Sequence, residues 1–331
     1  MASSFFHGIT TTIVDTGPRP IAVPSSSITG LVDTYTPGPD LVQPDVPVQI
    51  TNAREAAQAF GQNSAITRAI KAIQERTSAV IVATGVAESD DADALTSSVI
   101  GGTTGAGMRT GLQSLLDAKS RFNVQPRLLI APGFSARQPV ATAMDALASK
   151  LRAVGIIDGP NTTDEAALAY ARNFGSKRLY MVDPGVRTWD TNANAEADAP
   201  ASAFVAGLFA YTDAQYGYWA SPSNKEFVGI TGTGRPIEFL DNDPACRANL
   251  LSRPASPPSF VTVATGCGAT ARCRQTRNGR SSRACARSTS SWMPRRPATN
   301  GPSIGASPKR TCTTSPKACR RSCATSATQA R

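Results

Sequence analysis

Short apolar runs alternate with amphipathic stretches over the first three quarters of the chain. Four runs are almost continuously apolar, at residues 79–84, 127–131, 155–158 and 178–182. The last three of them are followed directly by Pro/Gly turn sequences. Runs of this length and composition are typical of strands that are covered on both faces of a sheet.

Amphipathic stretches between these runs predict helices. Their apolar residues recur near helical spacing, as at Met144 and Leu151. Thr163 has the side chain of an N-cap residue, and Asp164 suits the positive end of the helix that follows it. The predicted helices lie at 53–60, 65–75, 110–120, 140–154, 163–174 and 203–216. We therefore predict an α/β fold, with a mixed sheet and flanking helices.

The first 30 residues follow a different pattern. Residues 6–15 (FHGITTTIVD) are β-prone, and the TGPRP sequence at 16–20 interrupts them. Two shorter apolar runs follow at 21–23 and 28–32. An extended segment ahead of a core can serve as an edge strand or as an arm lent to a neighbour. We predict an extended N-terminal arm over 1–24.

Composition and charge divide the chain after residue 252. The 331 residues carry 34 Lys+Arg against 24 Asp+Glu, but residues 253–331 hold 15 of the basic residues and none of the acidic ones. Residues 1–252 therefore have a net charge of −5. The last 79 residues contain only four Leu, Ile, Val or Phe residues: Phe260, Val261, Val263 and Ile304. Such a segment cannot bury enough apolar surface to offset its chain entropy, so we expect 253–331 to be disordered.

These observations predict four parts. They are the arm at 1–24, a first α/β portion at 25–100, a second at 101–252, and a basic non-globular tail at 253–331. No apolar run approaches the roughly 18 residues needed to cross a bilayer. The N-terminus also lacks the charged start and apolar stretch of a secretory signal. We expect cytoplasmic synthesis and no membrane insertion.

Candidate chemistry along the chain is weak. His7 is the only histidine, which offers little to a catalytic triad or a histidine metal site. The glycine-rich segments at 101–107 and 229–234 lack the lysine of a phosphate-binding loop and are interpreted as turns. The acidic segment at 89–93 lacks calcium-loop spacing and is interpreted as a solvated loop. We predict no catalytic, metal-binding or cofactor-binding residue.

Two further groups of residues receive the same interpretation. Asp158 and Asp183 stand at the ends of predicted strands, where α/β enzymes often place acidic groups. No nucleophile or base lies beside them in the sequence, so they are interpreted as turn residues. The tail cysteines show no C-x-x-C spacing and have no histidine near them, which argues against a zinc site. The basic tail could contact nucleic acid only through phosphates, without specificity.

Long stretches of the first 252 residues resemble a known family. They are FFHGITTTIVDTGPRPIAVPSSSITGL, VIGGTTGAGMRTGLQSLLDAKSRFNVQPRLLIAPG, DGPNTTDEAALAYARNFGSKRLYMVDPGV, APASAFVAGLFAYTDAQYGYWASPSNKE and PIEFLDNDPACRANLL. Together they resemble the tail sheath protein of contractile phage tails, most closely that of the R-type pyocins (tailocins). Part of the sheath core in this family is subtilisin-like, but the lone His7 argues that nothing proteolytic survives here.

The resemblance implies a non-enzymatic structural subunit of a bacteriophage or tailocin particle. Such subunits polymerise into a helical sheath around a tail tube and contract to drive the tube through a cell envelope. It also implies a helical homo-oligomer joined through terminal arms, with the tube, baseplate and tail terminator proteins as partners. The expected location is the virion tail, or a tailocin particle, assembled in the host cytoplasm.

The N-terminal arm is where the resemblance places contacts between subunits. Family arms link neighbours by adding strands to a neighbour's sheet. Alternation along the arm puts every second residue on one face, and one such face should pair into a neighbour. The candidate assembly residues are Phe5, His7, Ile9, Thr11, Ile13 and Asp15.

The resemblance stops abruptly after Leu251. The family continues with a WGNRT-type motif, a helical domain and a C-terminal arm, none of which follows in this sequence. Codons that can encode residues 255–279 also permit, in a shifted frame, the reading IATVIRDGGYRLWGNRTLSADPKW. A frameshift after residue 252 would explain both the break and the basic composition. Without the C-terminal arm we expect sheath function to be impaired.

Three alternatives stay open on the residues alone. The chain could be a nucleotide-binding or hydrolytic α/β enzyme, although it lacks a cofactor fingerprint. It could use residues 253–331 as a nucleic-acid-binding arm, which steep salt dependence would reveal. The basic tail could also be genuine, with a function of its own.

Overall fold

The computed structural model describes residues 27–191, 193–223, 225–238, 247–251, 259–265 and 271–275. The predicted N-terminal arm and most of the basic tail lie outside these ranges. The strands are β1 (Thr29–Tyr35), β2 (Pro47–Ile50), β3 (Ile81–Ala87), β4 (Leu128–Ile130), β5 (Val154–Asp158), β6 (Leu179–Asp183), β7 (Val186–Asp190), β8 (Ala195–Ala199), β9 (Lys225–Glu226), β10 (Gly232–Thr233), β11 (Ser259–Thr265) and β12 (Ala271–Gln275). The helices are α1 (Ala53–Phe60), α2 (Ala65–Gln74), α3 (Ala92–Ile100), a 3-10 helix (Gly111–Asp117), α4 (Ala118–Phe122), α5 (Gln138–Leu151), α6 (Asp164–Arg172), α7 (Ala201–Tyr216) and α8 (Arg247–Leu251).

A nine-stranded sheet organises these elements, in the order β2-β3-β1-β4-β5-β6-β11-β12-β9. The pairs from β3 through β11 are parallel, whereas β2, β12 and β9 join antiparallel. The mixed sheet with flanking helices is confirmed. A second sheet of three short strands, β10-β7-β8, follows β6 in the chain.

Helices cover the large sheet on both faces, and each face has its own apolar core. One core joins α1, α2 and α7 to residues such as Leu31 and Ile81. The other joins α3, α5 and the 3-10 helix to residues such as Val32 and Val82. Neighbouring residues of β1 and β3 thus enter opposite cores, as strand alternation requires. The central strands are buried on both faces, which explains their continuous apolar sequences.

Local capping signals fix several helix starts. Asn52 accepts a hydrogen bond from the backbone N–H of Glu55 at 2.9 Å, and the Glu55 carboxylate accepts one from the backbone N–H of Thr51 at 2.8 Å. This reciprocal arrangement satisfies two donors that the first turn of α1 would otherwise leave unpaired. Thr163 caps α6 through the backbone N–H of Ala166, as the sequence predicts.

Four observed features differ from the sequence-based expectations. The acidic segment at 89–93 enters α3, with Asp91 as its N-cap. The predicted helix at 110–120 is a 3-10 helix followed by α4, and Gly111 begins it with φ of 52°. The hairpin of β7 and β8 was not predicted because its sequence is polar and its side chains are largely exposed.

The fourth difference concerns the tail. Within residues 253–331, β11 pairs in parallel with β6, and β12 returns antiparallel to β11. These two strands were not predicted, although three of the four Leu, Ile, Val and Phe residues of the tail fall together in β11. Apolar β-branched residues concentrated over a few positions favour a strand even where the average composition does not. Elsewhere the tail lies outside the described residues.

Among the described residues, no helix is both long and apolar enough to cross a bilayer.

Candidate functional site

Three buried aspartates lie at or near the carboxyl ends of the parallel strands. Asp33 is in β1, Asp158 ends β5 and Asp183 ends β6, and their exposed fractions are 4%, 7% and 0%. Carboxyl ends of parallel strands share one edge of the sheet, which is the edge where α/β proteins place ligand sites. The sequence drew attention to Asp158 and Asp183 but interpreted them only as turn residues.

Asp158 anchors the start of α7. It accepts hydrogen bonds from the backbone N–H and the hydroxyl of Ser202, at 2.8 and 2.7 Å. The hydroxyl of Ser135 donates a third, at 2.9 Å. Burial raises the pKa of Asp158, and these hydrogen bonds oppose that rise by stabilising the charged form. The turn interpretation missed this role because Ser202 lies 44 residues away in the chain.

Asp183 belongs to an ion-pair network. Arg235 donates to Asp183 at 2.6 Å and lies 2.9 Å from Asp164, and Arg247 donates to the same Asp164 carboxylate at 2.6 and 3.1 Å. Burial raises the pKa of Asp183, and Arg235 partly offsets this. The hydrogen bond from Arg247 lowers the pKa of Asp164. The network ties Arg235 and Arg247 to the carboxyl edge of the sheet.

Asp33 lines a cavity of about 630 Å³ at the same edge. The cavity is lined by Asp33 and Thr34 of β1 and by residues 132–134, which follow β4. The chain leaves these neighbouring strands in opposite directions, toward β2 and toward α5. Such a divergence is the switch point at which open α/β sheets form crevices. We call this space the switch-point cavity.

The structure describes some of the candidate segments from the sequence, but not the N-terminal arm. The glycine-rich segment at 101–107 forms a turn with positive φ at Gly101 and Gly107, in agreement with the turn interpretation. In 229–234, Gly232–Thr233 instead form β10, which pairs with β7. No group of three potential metal ligands is found within the described part of the chain. The arm residues Phe5, His7, Ile9, Thr11, Ile13 and Asp15 all lie outside it.

Exposed aromatic residues mark a second surface, where α7 ends. Tyr216 and Trp219 are 50% and 67% exposed. Lys225 of β9 lies 4.3 Å from the Tyr216 ring centroid. Because β9 is the last strand of the large sheet, this aromatic surface lies next to a sheet edge. Edge strands and exposed aromatics are both common in contacts between proteins.

Two family models match the chain. The phage tail sheath protein central domain matches residues 101–252, and the domain III N-terminal region of the tail sheath protein Gp18 matches residues 26–86.

Curated relatives carry tail sheath names. A prophage major tail sheath protein of Pseudomonas aeruginosa (strain UCBPP-PA14) is 64% identical over 250 residues, covering 75% of this chain and 65% of the relative. The tail sheath protein of Escherichia phage P2 is 31% identical over 259 residues, covering 76% of this chain and 65% of the relative. The chain thus spans slightly less than two thirds of the length of either relative.

Solved structures share the fold at low sequence identity. The helical sheath of the anti-feeding prophage in its contracted state matches with a TM-score of 0.52 and 15% identity, covering 82% of this chain and 67% of that one. The contracted sheath complex of an extracellular contractile injection system (PVC) matches with a TM-score of 0.51 and 15% identity, covering 82% of this chain and 66% of that one.

Proposed function

The chain belongs to the phage tail sheath family, and from this premise we propose that it is a structural subunit of a contractile tail sheath. Subunits would polymerise around a tail tube and contract to drive the tube through a cell envelope. The observation that carries the proposal is the 64% identity to a prophage major tail sheath protein, together with a fold shared with helical sheaths.

The proposed role is structural rather than catalytic. The buried carboxylates Asp158 and Asp183 support it, because each is engaged by groups that hold the fold together. Ser135 and Ser202 both donate to Asp158, and these hydrogen bonds join the end of β5 to the segment after β4 and to the start of α7. The rival reading as a nucleotide-binding or hydrolytic enzyme finds no comparable support. We propose no catalytic, metal or cofactor site.

The proposed partners are further copies of this chain, the tail tube protein, and the baseplate and tail terminator proteins. The N-terminal arm at 1–24 would link copies by adding a strand to a neighbour's sheet. One face of the alternating residues Phe5, His7, Ile9, Thr11, Ile13 and Asp15 would make that contact. The proposed location is the virion tail or a tailocin particle, assembled in the host cytoplasm.

The body would comprise the portions at 25–100 and 101–252, which share the large sheet. We propose that residues 253–331 are an out-of-frame translation of a sheath gene. The family match ends at residue 252, where the composition changes, and the Pseudomonas relative aligns over 250 residues. The proposed consequence is that this form assembles poorly.

Two measurements test these proposals. Deep sequencing of the coding DNA across codons 245–266 should reveal either a missing or extra base, or third bases that spell IATVIRDGGYRLWGNRTL in the shifted frame. An unchanged reading frame whose third bases do not spell that sequence would refute the frameshift.

Electron microscopy of the purified protein tests the function. The frame-restored chain should form helical tubes or rings, and the 331-residue chain should not. Regular sheaths from the 331-residue chain would contradict the predicted impairment, and no assembly of the frame-restored chain, alone or with tube protein, would contradict the sheath role.

A further inference from the structure

The switch-point cavity has a buried carboxyl group in its wall. Asp33 is 4% exposed. Within the described residues it accepts one hydrogen bond, from the backbone N–H of Thr34 at 2.8 Å, and forms no ion pair. Burial raises its pKa to about 7 and the charge of Asp158 adds to the rise, whereas the Thr34 hydrogen bond and the charge of Arg68 on α2 oppose it. The ionised form of a buried carboxyl group with one hydrogen bond and no ion pair is stabilised when a cation binds next to it.

Three aromatic side chains also line the cavity. Phe134 follows β4, Phe204 belongs to α7, and Trp189 of β7 is 52% exposed. A cavity that contains both aromatic rings and a carboxylate suits a planar guanidinium group, which can stack on a ring and donate hydrogen bonds to a carboxylate.

Among the described residues, no basic residue of the cavity wall forms an ion pair with Asp33. Arg137 instead donates a hydrogen bond to the backbone carbonyl of Ala92, and its guanidinium group lies over the Phe134 ring. Arg68 and Lys71 on α2 are exposed and can extend into solvent. At the mouth, Asp198 pairs with Arg187 at 3.3 Å, and Glu75 and Asp190 add further negative charge. Asp33 is therefore a carboxyl group of the cavity wall to which the described residues supply no ion pair, and the cavity leaves room for one more cation.

We propose that the switch-point cavity receives the guanidinium group of Arg19 from a second copy of this chain. The inference deepens the proposed self-assembly and rests on it. Arg19 is the only lysine or arginine in residues 1–26, the segment that precedes the described structure. Its neighbours Pro18 and Pro20 favour an extended backbone around it, which reduces the entropy lost on docking.

Chain reach favours a second copy over the same copy. Ser27 lies just before the amino end of β1, whereas the cavity lies near its carboxyl end, about 20 Å along the strand. Arg19 lies eight positions before Ser27, and a stretch of this length spans at most about 29 Å when fully extended. Because β1 is central and helices cover both faces of the sheet, a path from Ser27 to its own cavity must go around those helices and is longer than the strand itself.

A peptide titration tests the docking directly. A fluorescent peptide of residues 13–24 (IVDTGPRPIAVP) is titrated with the full 331-residue chain at pH 8, where Asp33 is largely ionised. We expect saturable binding that weakens at least about tenfold when the peptide carries Arg19→Ala. An Arg19→Lys peptide should bind with intermediate affinity, because an ammonium group keeps the charge but not the planar stacking.

Matched protein variants locate the contact. Asp33→Asn should weaken binding about tenfold, and Asp40→Asn, at an exposed position outside the cavity, should leave it unchanged. Trp189→Ala is a second cavity variant, at an exposed position. It keeps the test decisive if Asp33→Asn fails to fold. Circular dichroism verifies that each variant is folded.

The outcomes separate this proposal from the proposed function. Equal binding of the unsubstituted and Arg19→Ala peptides, or no binding of either, would overturn docking in the cavity. If deletion of residues 1–24 abolishes assembly of the frame-restored chain while Arg19→Ala leaves it intact, the arm function stands and the cavity proposal fails. If the frame-restored chain never assembles, the sheath proposal fails and the titration still decides the cavity.

Discussion

Ser202, in the first turn of α7, donates both its backbone N–H and its hydroxyl to the buried carboxylate of Asp158, at 2.8 and 2.7 Å. The two residues join the end of β5 to the start of the most buried helix of the body. Helix starts carry unpaired N–H groups and a positive dipole end, both of which favour a carboxylate. Asp158 therefore acts as a cap supplied from a distant strand.

Ser202→Ala should lower the free energy of unfolding by about 1–3 kcal/mol, because it removes one donor to a buried charged acceptor. Ser149→Ala, at an exposed position on α5, is the matched control and should change it by less than about 0.5 kcal/mol. Urea denaturation of both variants provides the measurement. Equal midpoints would show that the hydroxyl contributes nothing.

Asp33→Asn should stabilise the protein more at pH 8 than at pH 5. The pKa of Asp33 is raised to about 7 in the folded state, so the folded protein holds a proton that the unfolded chain releases near pH 4. Stability from this group is therefore complete at low pH and is lost as the pH rises toward and past 7.

The charged groups facing Asp33 are Arg68 on α2 and Asp158 on β5, and asparagine keeps the acceptor for the Thr34 N–H. The expected gain is about 1–3 kcal/mol at pH 8 and much less at pH 5, measured by urea denaturation at both values. Asp40→Asn is the exposed control. A gain independent of pH would mean that Asp33 does not titrate in this range.

Arg235→Met should cost far more stability than Arg187→Met. Arg235 is 11% exposed and faces the fully buried Asp183, so its loss leaves an uncompensated buried carboxylate, at a cost of about 3–5 kcal/mol. Arg187 is 48% exposed and its partner Asp198 is 67% exposed, so that pair should contribute less than about 1 kcal/mol. Thermal unfolding of the two variants would decide, and similar losses would contradict the network's structural role.

Much of this fold could be predicted from local sequence. Apolar runs located β3 to β6, and helical spacing located α1, α2, α5 and α6 to within a few residues, because burial on both faces leaves a strong pattern. The β7–β8 hairpin left no such pattern, since most of its side chains are exposed. The roles of Asp158 and Asp183 depend on partners 44 and 52 residues away, which no local pattern can reveal.

Gly207→Ala should destabilise the protein although alanine is the better helix former. A Cβ atom at Gly207 would lie 2.6 Å from the backbone oxygen of Ile73, so α2 and α7 would have to move apart. Overpacking of this kind costs about 1–3 kcal/mol, against a helix-propensity gain of about 1 kcal/mol. Gly175→Ala, where a Cβ would meet nothing within 4 Å, is the matched control. A gain in thermal stability for Gly207→Ala would show that the helices can separate freely.

Removal of residues 253–331 should destabilise the body, whereas removal of residues 279–331 alone should not. The register of β11 on β6 aligns Phe260 with Met181 and Val261 with Val182, which satisfies the backbone edge of a strand that is buried on both faces. A chain ending at residue 252 leaves that edge open to water and to other chains, so we expect a lower urea midpoint and larger particles by light scattering. A chain ending at residue 278 keeps β11 and β12 and is the matched control. Equal behaviour of the two truncated chains would mean that β11 contributes nothing to the sheet, and that the ordered body ends where the family match ends.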